Sequence, residues 1–233
     1  MDKIIVGNLK TLVSTSELSD YLKNTKDITN ENVIICPTTL YIPYFLRHKY
    51  KVGIQDIGEY DVGTHTGDVL ASQAASMGIK YAIVGHSERR EKETTKDINK
   101  KILANNKYNI TSILCVGENK ADKKAKKIIK QYLLECLKNT LVNKVIIAYE
   151  PVWAIGTNEL PDKKYIDDMI LFIKNLIKKE FNHEISVIYG GSISKENIDT
   201  IKLIDNIDGI LVGNASAIPS EFKEIISKFD KIS

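Results

Sequence analysis

Eight short apolar, β-branched runs punctuate this chain, and their number constrains its fold more than any other feature. They are Lys3 to Val6, Val33 to Cys36, Val52 to Gln55, Tyr81 to Val84, Thr111 to Val116, Val145 to Tyr149, Ser186 to Tyr189 and Gly209 to Val212. Runs of this length and character read as strands buried on both faces. Helical spacing appears between them, at Thr94 to Asn105, Ala121 to Asn139, Asp162 to Glu180, Lys195 to Ile201 and Ser220 to Phe229. Strands alternating with helices predict βαβ units and a parallel sheet. Eight such units with no Gly/Ser-rich linker or composition shift predict an α/β fold, a closed (β/α)₈ barrel in one domain over residues 1–233. The units are uneven in length and share no repeat motif, which argues against a solenoid.

Composition narrows the function classes. A hydrophobic content of 43% with 27% charged residues is ample for a large core. The net charge of +3 is too small to argue for nucleic acid and mildly favours an anionic substrate. The N-terminal residues lack the basic and long apolar regions of a signal peptide. No apolar run approaches a membrane span, and Leu171-Phe172-Ile173 is soon broken by Lys174. Cys36, Cys115 and Cys136 are odd in number and lack metal spacing, so they read as reduced thiols in a cytoplasmic protein. The Lys-rich run Asn119 to Lys130 reads as a solvated helix face.

Chemistry concentrates just after the strands, where the loops of such a barrel build sites. The sixth strand ends in a carboxylate, Glu150, followed by Pro151 and by the only Trp of the chain, Trp153, on a small-residue loop. A Glu at that end of a buried parallel strand, beneath a loop able to act as a lid, is a candidate general base. Around the same rim fall Gly7-Asn8-Leu9-Lys10, Val84-Gly85-His86-Ser87-Glu88-Arg89-Arg90, Cys115-Val116-Gly117-Glu118, Tyr189-Gly190-Gly191-Ser192 and Val212-Gly213-Asn214-Ala215-Ser216. Each alone is weak; gathered on one rim they form a constellation.

In order and spacing these segments, together with Ala148 to Thr157, resemble the triosephosphate isomerase family from Gly7 to about Ala217. The resemblance implies interconversion of dihydroxyacetone phosphate and D-glyceraldehyde 3-phosphate through an enediolate, in glycolysis and gluconeogenesis. It implies no cofactor and no metal. Glu150 would be the base, and burial under the lid would strengthen it. His86 would be the electrophile, kept neutral by the positive end of a helix. Lys10 would supply fixed charge toward the substrate oxygens, with Asn8 beside it as a hydrogen-bond donor. Gly156, Ser192, Gly213 and Asn214 match phosphate-binding positions. Glu88 and Arg89 would act behind these residues, and Cys115 and Glu118 would be structural. The lid, Pro151 to Asn158, would close to exclude water. The loop from Gln55 to Asp68 keeps the length that crosses into a partner subunit, so the resemblance also implies a homodimer.

Several positions depart from the family pattern. Leu9 replaces an aromatic, Thr11-Leu12 replaces the residues that commonly follow the Lys, and Asn214 replaces a second glycine. Gly63-Thr64-His65 makes the crossing loop's tip more polar, and Asn158-Glu159-Leu160-Pro161 forms an altered, shorter lid hinge. An isomerase of a four-carbon ketose phosphate is the nearest alternative, since its catalytic residues would be the same. A Schiff-base aldolase would need a Lys at a strand end where Glu150 stands. A metal-dependent barrel would need clustered ligands, whereas His48, His65, His86 and His183 are scattered. A non-catalytic binding protein would have no use for a base.

Overall fold

In the computed structural model, which describes residues 3–156 and 160–230, eight parallel strands close on themselves in sequence order. The strands are β1 (Ile4–Asn8), β2 (Val33–Cys36), β3 (Lys51–Ile54), β4 (Tyr81–Val84), β5 (Thr111–Val116), β6 (Val145–Tyr149), β7 (Val187–Tyr189) and β8 (Gly209–Val212). β8 closes the barrel on β1, with Ile4 opposite Gly209 and Gly7 opposite Val212. This is the (β/α)₈ barrel expected from the alternating runs.

Alternation along each strand divides the core in two. Val6, Ile34, Cys36, Ile83, Ile113, Cys115, Ile146, Ala148, Ile188 and Leu211 form one buried cluster. Their strand neighbours, such as Ile5, Ile35, Ile54, Leu114, Ile147 and Ile210, join a second cluster with helix residues including Ile129, Leu133, Ile170 and Phe222. Side chains two apart on a strand share a face, so the first set fills the barrel and the second seals the helices onto it. Continuing the inward sequence Ile146, Ala148 by one step carries Glu150 to the C-terminal mouth. Likewise Val6 leads to Asn8, and Leu211 leads to Gly213.

The helices are α1 (Thr15–Thr25), α2 (Ile42–Leu46), α3 (Ala71–Ser76), α4 (Ser87–Arg90), α5 (Thr95–Lys107), α6 (Ala125–Cys136), α7 (Lys163–Phe181), α8 (Ile198–Ile201) and α9 (Pro219–Asp230). Several boundaries differ from the sequence expectation for identifiable reasons. Thr94 precedes α5 as its cap, accepting from the Asp97 N–H while Asp97 accepts from the Thr94 N–H. α6 starts at Ala125 because the Asp122 side chain and carbonyl tie up the N–H groups of Lys124 and Ala125 in a turn. α8 starts at Ile198 because the Asn197 carboxamide accepts from Ser194 N–H and closes a turn ahead of it. Asn182 ends α7 in the left-handed region. β1 runs on to Asn8 instead of stopping at Val6, which puts Asn8 on the barrel itself. α1 to α4 lie where the periodicity named no helix; α2, α3 and α4 are six residues or fewer.

Candidate active site

Glu150 leaves the end of β6 with its N–H bonded to the Val116 carbonyl, and it is 1% exposed. Its Oε1 lies 3.5 Å from His86 Nε2. Its Oε2 is buried and has no hydrogen-bond partner among the described residues. A desolvated carboxylate oxygen without a donor carries a cost that a packed core would normally avoid. Glu150 lines a cavity of about 610 Å³, whose wall also includes Lys10, His86, Gly156, Ser192, Gly213 and Asn214.

His86 caps the short helix α4, and its Nδ1 accepts the Glu88 N–H at 3.3 Å. A ring nitrogen that accepts carries no proton, so in the neutral ring the proton sits on Nε2, the atom facing Glu150. The helix-start position expected for this residue is therefore its place in the fold, and the cap selects the tautomer.

Lys10 has φ of +50°, the left-handed region that non-glycine residues rarely adopt. Side chains at the ends of β1 and β3 hold it there. Asn8 Oδ1 accepts the Lys10 N–H at 3.2 Å, and Gln55 Nε2 donates to the Lys10 carbonyl at 2.8 Å and to the Cys36 carbonyl at 3.0 Å. The ammonium lies 2.6 Å from Glu88 Oε1. Burial opposes ionisation of Glu88, but the hydrogen bond and charge of Lys10 outweigh it and hold the carboxyl below its ordinary value. Asn8 itself is buried behind Lys10 rather than on the cavity wall. Nothing in the sequence singled out Gln55, whose role depends on a neighbour 45 positions away.

The lid residues up to Gly156 lie against the β7 loop. Gly156 N–H donates to Ser192 Oγ at 3.2 Å, and that hydroxyl donates to the Ala154 carbonyl at 3.0 Å. On the other side, Trp153 Nε1 donates to Glu118 Oε1 at 2.8 Å, joined there by the hydroxyls of Tyr165 at 2.9 Å and Tyr149 at 3.1 Å. Glu118 thus ties the lid's base to β5 and α7, a more specific part than a generic structural residue. The lid expectation at Thr157 and the hinge expectation at Asn158 and Glu159 lie outside the described residues.

Asn214 opens a tight helical turn over Asn214–Ala217, and its φ is not positive. The second glycine of the family pattern is therefore not required by the backbone here. Leu9 is buried in the helix-facing core, where an aliphatic side chain fills the space. Among the described residues no three His, Cys, Asp or Glu side chains gather as a metal ion would require. The three thiols are buried and free, and no described helix is long and apolar enough to cross a membrane.

A closed parallel barrel with a carboxylate, an imidazole and an ammonium around one cavity at its mouth defines a (β/α)₈-barrel enzyme. The family description that matches the sequence, over residues 3–229, is triosephosphate isomerase. Relatives of that name include one from Mesomycoplasma hyopneumoniae (strain 7448), 35% identical over 97% of this chain and 99% of its own. Another, from Francisella tularensis subsp. holarctica (strain FTNF002-00 / FTA), is 36% identical over 100% of this chain and 99% of its own. The chain belongs to the triosephosphate isomerase family.

Proposed function

We propose that this enzyme interconverts dihydroxyacetone phosphate and D-glyceraldehyde 3-phosphate, with Glu150 carrying the proton between the two carbons. The observation that carries this reading is the buried Glu150 carboxylate at the cavity, with Oε1 3.5 Å from His86 Nε2 and Oε2 without a partner among the described residues. Glu150 removes a proton from the carbon next to the carbonyl, and the electron pair moves into an enediolate. The His86 Nε2–H donates to the developing oxyanion, and the Lys10 ammonium stabilises its charge. Asn8, whose oxygen orients the Lys10 backbone, retains its NH₂ as a donor. His86 Nε2 gives its proton to the oxyanion and takes the proton of the neighbouring hydroxyl, which moves the negative charge to the other oxygen. Glu150 then returns its proton to the adjacent carbon, and the isomerisation is complete without any outside reagent. Gly156, Ser192, Gly213 and Asn214 surround the place for the phosphate, which their N–H groups and the Ser192 hydroxyl can bind. The lid excludes water, which strengthens these charge interactions.

The same reading extends to a cytoplasmic homodimer. Leu12, Leu40 and Val62 are 48%, 80% and 78% exposed, and apolar residues so placed fit burial against a second copy. Sedimentation of the purified chain tests this; a monomer at micromolar concentration would contradict it.

Activity is tested by a coupled assay with D-glyceraldehyde 3-phosphate beside a four-carbon ketose phosphate. The expected result is fast turnover of the triose phosphate and a much smaller kcat/KM for the larger sugar. The reverse order would favour the four-carbon alternative.

A further inference from the structure

Behind the cavity a closed ring of contacts returns to Lys10. Gln55 Nε2 holds the Lys10 carbonyl at 2.8 Å, and Glu88 Oε1 holds the Lys10 ammonium at 2.6 Å. Their chain neighbours are joined to each other: Asp56, after Gln55, lies 2.7 Å from the Nε of Arg89, which follows Glu88. The two loops that grip Lys10, one on its backbone and one on its charge, are thus joined to each other through the Asp56–Arg89 pair.

Asp56 is also where the ring meets the barrel wall. Lys101, on the inward side of α5 and 5% exposed, donates to both Asp56 oxygens at 2.8 and 2.9 Å and to Glu93 at 2.8 Å. Arg89 reaches Glu93 as well, at 2.8 Å. Two cations and two carboxylates therefore meet in one group, in which Lys101 and Glu93 are buried while Arg89 reaches in from an exposed position. Removing one partner from such a group leaves an uncompensated buried charge.

We infer that Asp56 is a positioning residue for the isomerisation, fixing the Lys10 ammonium at the cavity by locking the two loops that hold it. This rests on Lys10 acting on the substrate as described above. It goes further in giving a task to a charge that never touches the cavity, since Asp56 is not among the residues lining it. Fixed charges are effective in catalysis because they are not reorganised during the reaction. A loosened β3–β4 lock would let the ammonium spread over several positions.

The test is a double-mutant cycle measured well below the melting temperature, on a preparation whose wild-type form turns over triose phosphate. Asp56→Asn keeps the side-chain shape and removes the charge. It should lower kcat/KM about tenfold and weaken a phosphoglycolate-type inhibitor in proportion. Glu88→Gln opens the same ring at another joint, so the double variant should be little worse than the poorer single. Glu184→Gln, which breaks the exposed pairing with Lys178, should leave the kinetics unchanged and serves as the control for charge loss alone. If Asp56→Asn fails to fold, Arg89→Gln cuts the ring one residue on and leaves the Asp56–Lys101 pair; it should show the same loss. A lower melting temperature with wild-type kcat/KM and inhibitor binding would make the network purely structural and overturn the inference. So would fully additive losses in the cycle. An inactive wild type would instead strike the isomerase reading itself.

Discussion

Gly190 stands so close to Glu150 that a Cβ built on it would lie 2.8 Å from Glu150 Cγ and 3.2 Å from Oε1. The turn after β7 therefore sets where the carboxylate of β6 can rest. Real Cβ contacts do not reach 2.8 Å, so Gly190→Ala must displace the side chain. A shift of about 1 Å in a reacting group can cost on the order of a hundredfold in rate. We expect Gly190→Ala to fold and to lose activity on that scale, chiefly in kcat. Steady-state kinetics beside a thermal melt check this; unchanged kcat would mean that Glu150 tolerates the displacement.

Lys10 combines a left-handed backbone with a charged side chain at the cavity. Lys10→Met keeps the length and removes the ammonium. It should lower kcat/KM far more than it lowers the melting temperature, and should weaken an anionic inhibitor. Normal inhibitor binding and turnover in this variant would remove Lys10 from the electrostatic account.

Trp153, the only Trp of the chain, reports on the lid without a label. Its indole is bonded to Glu118, while Ala154 and Gly156 are bonded to Ser192. Ser192→Ala removes both latter bonds, worth about 1 kcal/mol each, and should weaken a phosphate-bearing inhibitor roughly tenfold while lowering the melting temperature by only a few degrees. In the wild type the inhibitor should change Trp153 fluorescence. Crystals with and without it should show Pro151 to Gly156 in different positions. One conformation in both would end the case for gating by this loop.

The Lys10–Glu88 pair gives a sign for the pH response of stability. Glu88 is held below its ordinary value of 4.5 in the folded state, so its contribution is present above the unfolded pKa and is lost as pH falls through the folded one. Glu88→Gln should therefore lose less stability on acidification than the wild type. Thermal melts from about pH 6 to about pH 3 test the difference; equal acid slopes would contradict it.

Much of this was legible in the sequence because it is local. Strand runs, Glu150 after an inward-alternating pair, and His86 at a helix start are all set within a few residues. The lock on Lys10 was not, because Gln55, Asp56 and Lys101 are ordinary polar residues in sequence and gain their roles from partners tens of positions away. The short helices α2 to α4 have too few turns to show a period. Asn214 looked anomalous only against the family pattern; its turn places no glycine-like demand on the backbone.

In the proposed reaction Glu150 shuttles a proton through an enediolate rather than the hydrogen moving directly between carbons. The measurement is turnover of D-glyceraldehyde 3-phosphate in deuterium oxide by the wild type and by Glu150→Gln, with the label located in the product. A base that exchanges with solvent should put deuterium on the carbon that receives the proton. The Gln variant should stay folded, bind a phosphate-bearing inhibitor, and lose at least about a hundredfold in kcat. Product free of solvent deuterium, or near-normal kcat without the carboxylate, would contradict the account.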